Sequence, residues 1–147
     1  RFAPESDRVA NSDLKVGVRL TGIELDGVDG IDLSEGSYLV ELFSPRCIHC
    51  KRAVPKLNEW ADTPGVPRIV ALNEFPSDSP YLTGFVEQMR PRYTIASISS
   101  SDFMRLTWRH GYPRLAYIKD GIINRVWEHD QLPTVAQLLK LGSMGSS

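Results

Sequence analysis

Two cysteines, held two residues apart in Cys47-Ile48-His49-Cys50, are the only thiols of the chain. Disulfide exchange needs a thiolate that attacks, a sulfur that a partner can reach, and a second sulfur able to close on the first. This spacing supplies both sulfurs. A structural bridge across so short a stretch would constrain little of the unfolded chain, which argues against a purely structural disulfide. Soft thiolates also suit Cu(I), so a copper-handling metallochaperone module using Cys47 and Cys50 stands as a second reading. A lone C-x-x-C is a poor zinc site, and His110 and His129 have no partner at ligand spacing, so no metal site and no cofactor are assigned. Phosphate-binding glycine loops and nucleophilic serine motifs are lacking from the sequence.

The rest of the chain narrows the class. With 147 residues it fits one domain, long enough to bury a core without disulfide staples. Apolar residues at 41% and charged residues at 24% exclude disorder for the chain as a whole. A net charge of −1 removes any compositional case for nucleic acid or an anionic membrane as partner. Trp60, Trp108 and Trp127 are read as core or site rim rather than as a base-stacking platform. Residues 1–13 are polar and read as a loose arm, 14–141 as the folded domain. The tail 142–147, GSMGSS, reads as vector-derived. The start at Arg1, without Met or an apolar leader, leads us to expect a piece released from a membrane anchor or a larger protein.

The elements that must position the cysteines follow from periodicity. Leu20 to Leu33 alternates loosely around Asp26-Gly27, predicting a β-hairpin. Tyr38 to Phe43 is nearly all apolar, as a strand covered on both faces would be. Cys50, Ala53, Val54, Leu57, Trp60 and Ala61 have helical spacing over 48–61, with Pro55 inside. Arg68 to Leu72 predicts a second buried strand. Ser79-Pro80 opens a helix with Leu82, Phe85, Val86 and Met89 on one face. Tyr93 to Ile98 predicts a strand, and Ser100 or Ser101 caps a short helix. Asp120-Gly121 joins a closing hairpin, and Pro133 opens a last helix. Strands alternating with helices imply a mixed, mostly parallel central sheet flanked by helices.

This order puts Cys47 at a helix N-terminus, where free N–H groups and the helix dipole favour an anion, and Cys50 one turn inside. Cys47 is therefore the expected nucleophile and Cys50 the resolving thiol. The only charged residues from Ser44 to Lys56 are Arg46, Lys51, Arg52 and Lys56, four cations that favour a thiolate. Glu41 is an acid in the middle of an apolar strand, six residues before Cys47. A carboxyl in such surroundings has a raised pKa and can take and return a proton.

Cys47-Ile48-His49-Cys50 at a strand-to-helix junction, Pro55 eight residues after Cys47, Tyr112-Pro113 before the last hairpin, and Asp120-Gly121 in its turn together resemble the thioredoxin superfamily. The opening LTGIELDGVDGIDLSEG and the long stretch from Asn73 to Pro113 are similar to its extracytoplasmic TlpA/ResA-like branch. The resemblance spans about residues 14–141. It implies an α/β thioredoxin-like fold with an N-terminal β-hairpin and an extra βα insertion before a cis-proline at Pro113. It implies a catalytic set of Cys47, Cys50, Glu41 and Pro113, with Glu41 as a buried acid beneath the resolving cysteine. Ile48, His49 and Tyr112 are expected to meet the substrate, His49 tuning the redox pair. Where the family usually has Trp two residues before the first cysteine, this chain has Pro45. The activity implied is thiol–disulfide exchange with protein thiols and disulfides, served by an upstream redox partner. A periplasmic or extracytoplasmic, membrane-tethered, monomeric protein is expected. A non-catalytic thioredoxin-like interaction domain stands as the third reading.

Overall fold

The computed structural model describes residues 14–20, 22–108 and 110–144, so the expected arm at 1–13 lies outside the described residues. Along the chain come β1 (Ser37–Leu42), α1 (Ile48–Ala61), β2 (Arg68–Asn73), α2 (Pro80–Met89), β3 (Thr94–Ser97), α3 (Ser100–Thr107), β4 (Arg114–Lys119), β5 (Ile122–Trp127) and α4 (Val135–Met144). The sheet order is β3-β2-β1-β4-β5. β1 is thus the middle strand and is buried over its last four residues, as its apolar run requires.

The sheet is less parallel than predicted. β1–β2 and β2–β3 are parallel, whereas β1–β4 and β4–β5 are antiparallel. The parallel half is the part whose strands are joined through α1 and α2. The antiparallel half arises because β4 enters beside β1 from the opposite end, and a tight turn then brings β5 back. That turn is Asp120-Gly121, with φ of 49° and 81°. Positive φ at both positions matches the right-handed strand twist of a two-residue hairpin.

The predicted N-terminal hairpin does not form. Gly27 has φ 86°, but Asp26 is not among the residues with positive φ, so the same dipeptide here lacks the hairpin geometry. The segment pairs instead with the two edges of the sheet. Leu20 N–H donates to Gly121 O at 2.7 Å and Gly17 N–H to Ile123 O at 2.7 Å, beside β5. Asp26 and Ser97 exchange backbone bonds at 2.8 and 2.9 Å, beside β3. Unpaired edge groups of a sheet are ready acceptors and donors, and this strap satisfies some at each edge. Between them, Leu14, Leu20 and Leu33 pack with α3's Phe103 and Leu106 against Val40, Leu42, Val70 and Ala116. On the other face α1, α2 and α4 cover Leu39, Phe43, Ile69, Ala71, Leu115 and Tyr117.

Caps fix the helix ends. Ser79 accepts from Tyr81 N–H at 3.3 Å, and Ser99, one residue before the predicted cap, accepts from Asp102 N–H at 3.1 Å. Thr134 and Gln137 cap each other reciprocally: Gln137 N–H donates to Thr134 Oγ1 and Thr134 N–H to Gln137 Oε1. From this cap α4 runs to Met144, into the stretch assigned to the tail, because a nucleated helix propagates through residues of poor propensity. Between β2 and Pro113 lie α2, β3 and α3, the long insertion expected there.

Arg114 begins β4 with its side chain 3% exposed. Its Nε and one terminal nitrogen hold Glu128 in a fork at 2.9 Å each, and the guanidinium also donates to Leu106 O at 2.7 Å and Leu14 O at 3.3 Å. One residue thereby joins β4, the end of β5, α3 and the start of the strap. Removing a partner from a buried ion pair costs about 3–5 kcal/mol. Glu128 is half-exposed, so Arg114→Ala is expected to lose about 2–4 kcal/mol, seen as a lower urea midpoint with unchanged slope. Arg114→Lys keeps the charge without the fork and should recover part of that. A loss under about 1 kcal/mol in the Ala variant would contradict the assignment.

Candidate functional site

Phe43 follows β1 and closes its apolar run, and the chain turns at Ser44-Pro45-Arg46 into α1. Cys47 is the N-cap residue, extended at φ −93° and ψ 125°. Its N–H donates to Ser44 O at 3.1 Å, and its carbonyl accepts from Lys51 N–H at 3.1 Å. Cys47 is half-buried, whereas Cys50, one turn on, is 1% exposed, and both are free thiols. The two sulfurs therefore differ in access although they share one helix end. Burial first, then the Glu41 charge, pushes the Cys50 thiol well above its usual range.

Strand alternation places Glu41 on the same face as Leu39 and Phe43, the face that α1 covers. Its neighbours in register are Ala71 on β2 and Leu115 on β4, both apolar and fully buried. Glu41 is itself 2% exposed, and desolvation raises its pKa from 4.5 to about 8. Tyr93 belongs to this group too: it packs with the clusters of Leu57 and of Cys50. Burial, with the nearby charges of Glu41 and Cys50, pushes its phenol up. Sequence reasoning treated Tyr93 only as the start of a strand. It meets the charge of Glu41 from the far side of β2, and no local pattern announces that.

The Tyr112-Pro113 bond is cis, as expected. Pro113 is buried, and half-buried Tyr112 meets Phe103 at 5.5 Å between ring centroids and packs with both the Phe103 and the Cys50 clusters. Ile48 and His49 are exposed on the first turn of α1. His129 follows β5 and places its ring 5.8 Å from that of His49. A Cβ on Gly111 would meet the His129 ring at 3.0 Å. His129 thus touches both the C-x-x-C helix and the loop before Pro113, a residue that showed no partner in sequence. His110 Nδ1 lies 3.5 Å from Glu128, the acid held by Arg114. The cation cluster divides: Arg46 stacks on Tyr81, while Arg52 and Lys56 point to solvent from α1. Among the described residues no group of three or more His, Cys, Asp or Glu could hold a metal ion.

The folded Glu41 carboxyl keeps a proton that the unfolded chain releases near pH 4.5. Its contribution to stability is therefore fullest below pH 4.5, declines between 4.5 and about 8, and is level above that. The decline is at most about 1.4 kcal/mol per pH unit. Glu41→Gln removes it, so the stability of the variant relative to the wild type should rise by a few kcal/mol from pH 5 to pH 8 in urea unfolding. An equal difference at both pH values would place this carboxyl in water.

No protein-family model matches the chain, and no curated protein sequence matches it. Solved structures do. The thioredoxin domain of a thiol-disulfide oxidoreductase from Bacteroides vulgatus superposes with TM-score 0.67 at 13% identity, over 89% of this chain and 97% of that one. A thiol-disulfide isomerase from Corynebacterium glutamicum gives 0.63 at 19% identity, over 89% and 96%. A secreted disulfide oxidoreductase from Mycobacterium tuberculosis, described as homologous to Escherichia coli DsbE, gives 0.57 at 12% identity, over 74% and 81%. At these identities the likeness is one of fold, and the fold is thioredoxin-like.

Proposed function

We propose that this chain is a thiol–disulfide oxidoreductase that exchanges its Cys47–Cys50 dithiol with disulfides of protein partners outside the cytoplasm. The observation that carries this reading is the unequal access of two sulfurs on one helix end, with a buried carboxyl acting on the inner one. Three neighbours of like fold are described as thiol–disulfide enzymes, one of them secreted, and that supports both the activity and the location. Among the described residues no helix is long and apolar enough to cross a membrane. A membrane tether and an upstream redox partner belong to the proposal.

The steps follow from access and charge. The Cys47 thiolate attacks a partner disulfide, forming a Cys47–partner bond and releasing the partner's other sulfur as a thiolate. In its ionised form, whose share grows towards pH 8, Glu41 then takes the Cys50 proton, and Cys50 attacks the Cys47 sulfur. The new Cys47–Cys50 bond expels the second partner sulfur, so the partner gains the two electrons that the dithiol loses. In the opposite direction the same steps oxidise a partner dithiol. Tyr112-Pro113 lines the place where the partner backbone docks, with Ile48 and His49 against its side chains.

The test separates the sulfurs. Cys50→Ala should accumulate disulfide-linked adducts through Cys47 when mixed with an oxidised protein substrate, visible on non-reducing gels and by mass spectrometry. Cys47→Ala should accumulate few, because Cys50 is enclosed. Equal trapping by the two variants would overturn the roles, and no trapping by either would overturn the activity.

A further inference from the structure

A polypeptide that reaches Cys47 also meets the side chain beside it. Arg46 is exposed, and its guanidinium carbon lies 4.7 Å from the centroid of the Tyr81 ring. Tyr81, 53% exposed, meets Phe75 edge-on at 5.5 Å and 62°. Phe75 packs with the cluster of Phe43, Cys50 and Val54 under the redox pair. The stack Phe75–Tyr81–Arg46 is therefore rooted beside the sulfurs and ends in a cation next to the reactive one.

Stacking on a ring uses the face of a guanidinium. A cation–π contact uses none of the N–H donors for a hydrogen bond, and those donors match a carboxylate in a two-point contact. Among the described residues no carboxylate pairs with Arg46. The turn that carries it is held by its backbone N–H donating to Ser44 Oγ at 3.3 Å. Lys51, Arg52 and Lys56 extend positive charge along α1, and the stretch from Ser44 to Lys56 has no acid to offset it. Across the turn Ile48, 54% exposed, offers an apolar contact.

We propose that Arg46, held on Tyr81, is a carboxylate-recognition site that selects protein disulfides carrying Asp or Glu beside the reactive cysteine. The proposal rests on Cys47 being the attacking sulfur, and it concerns which disulfides react rather than whether any do. The lysines and Arg52 attract an acidic partner from a distance. Arg46, fixed by the ring, converts that attraction into a contact at the residue next to the sulfur. An ion pair at so exposed a place is worth only a few-fold in rate and weakens with salt.

Three synthetic peptide disulfides, identical except for Glu, Gln or Lys following the cysteine, test this. The reduced protein's second-order rate with each is measured at low salt and at high salt. The wild type should favour the Glu peptide over the Lys peptide about three- to tenfold at low salt and less at high salt. Arg46→Met should remove most of the preference, leaving the small part due to the distant cations, Tyr81→Leu should lower it, and Lys51→Met should leave most of it. Measurable exchange with the Gln peptide and equal rates for all three would overturn the proposal while leaving the reaction standing. A preference undiminished by Arg46→Met, or one that falls equally with Lys51→Met, would overturn it as well. Absence of exchange with every peptide would overturn the reaction itself and this inference with it.

Discussion

The proposed reaction depends on one carboxyl buried among apolar residues on the middle strand of the sheet. Glu41 has Ala71 and Leu115 in register on either side and helix α1 above, and is itself 2% exposed. Its ionised form is costly, so the proton stays until about pH 8. That value suits a group that must accept a proton from a thiol and return it near neutrality. Cys50 carries the complementary handicap: burial and the neighbouring acid both hold its thiol protonated. In the proposed reaction the carboxyl first gives up its own proton, a form that grows towards pH 8, and the carboxylate then takes the proton of Cys50 as the inner sulfur attacks.

The rest of the fold keeps that arrangement closed on one side and open on the other. α1 presents Cys47 at its cap, where a partner can reach it, and seals Cys50, Val54 and Leu57 against the sheet. Facing it, the loop ending at the cis Tyr112-Pro113 bond is anchored through the next residue. Arg114 fixes Glu128, His129 follows directly, and its ring touches both Gly111 and His49. The two halves of the site are thus joined through the end of β5. On the far face the N-terminal strap reaches both sheet edges.

What the sequence discloses and what it conceals divides along physical lines. Short-range signals were legible: the apolar run of β1, the helical spacing after Cys47, and Asp120-Gly121, whose two positive φ angles make a tight hairpin. Asp26-Gly27 is the same dipeptide with a different outcome, because the edges of the sheet compete for its backbone groups and Asp26 does not take the left-handed conformation. The parallel and antiparallel halves of the sheet could not be apportioned, since strand direction is set by which strands meet and not by their composition. The cysteine pair, Glu41 and Tyr112-Pro113 were visible as motif or anomaly. Tyr93, Tyr81 and His129 were not, because each joins the site only through residues far away in sequence.

The most direct test of the account is the rate at which Cys50 resolves a mixed disulfide at Cys47, followed by rapid mixing across pH in the wild type and in Glu41→Gln. The account predicts a wild-type rate that rises towards an inflection near pH 8, the value at which Glu41 gives up its proton. It also predicts a loss of about 10²-fold with no such inflection in the variant, while the initial attack by Cys47 changes little. Identical resolution profiles for the two proteins would show that the inner sulfur ionises without Glu41 and would contradict the central claim.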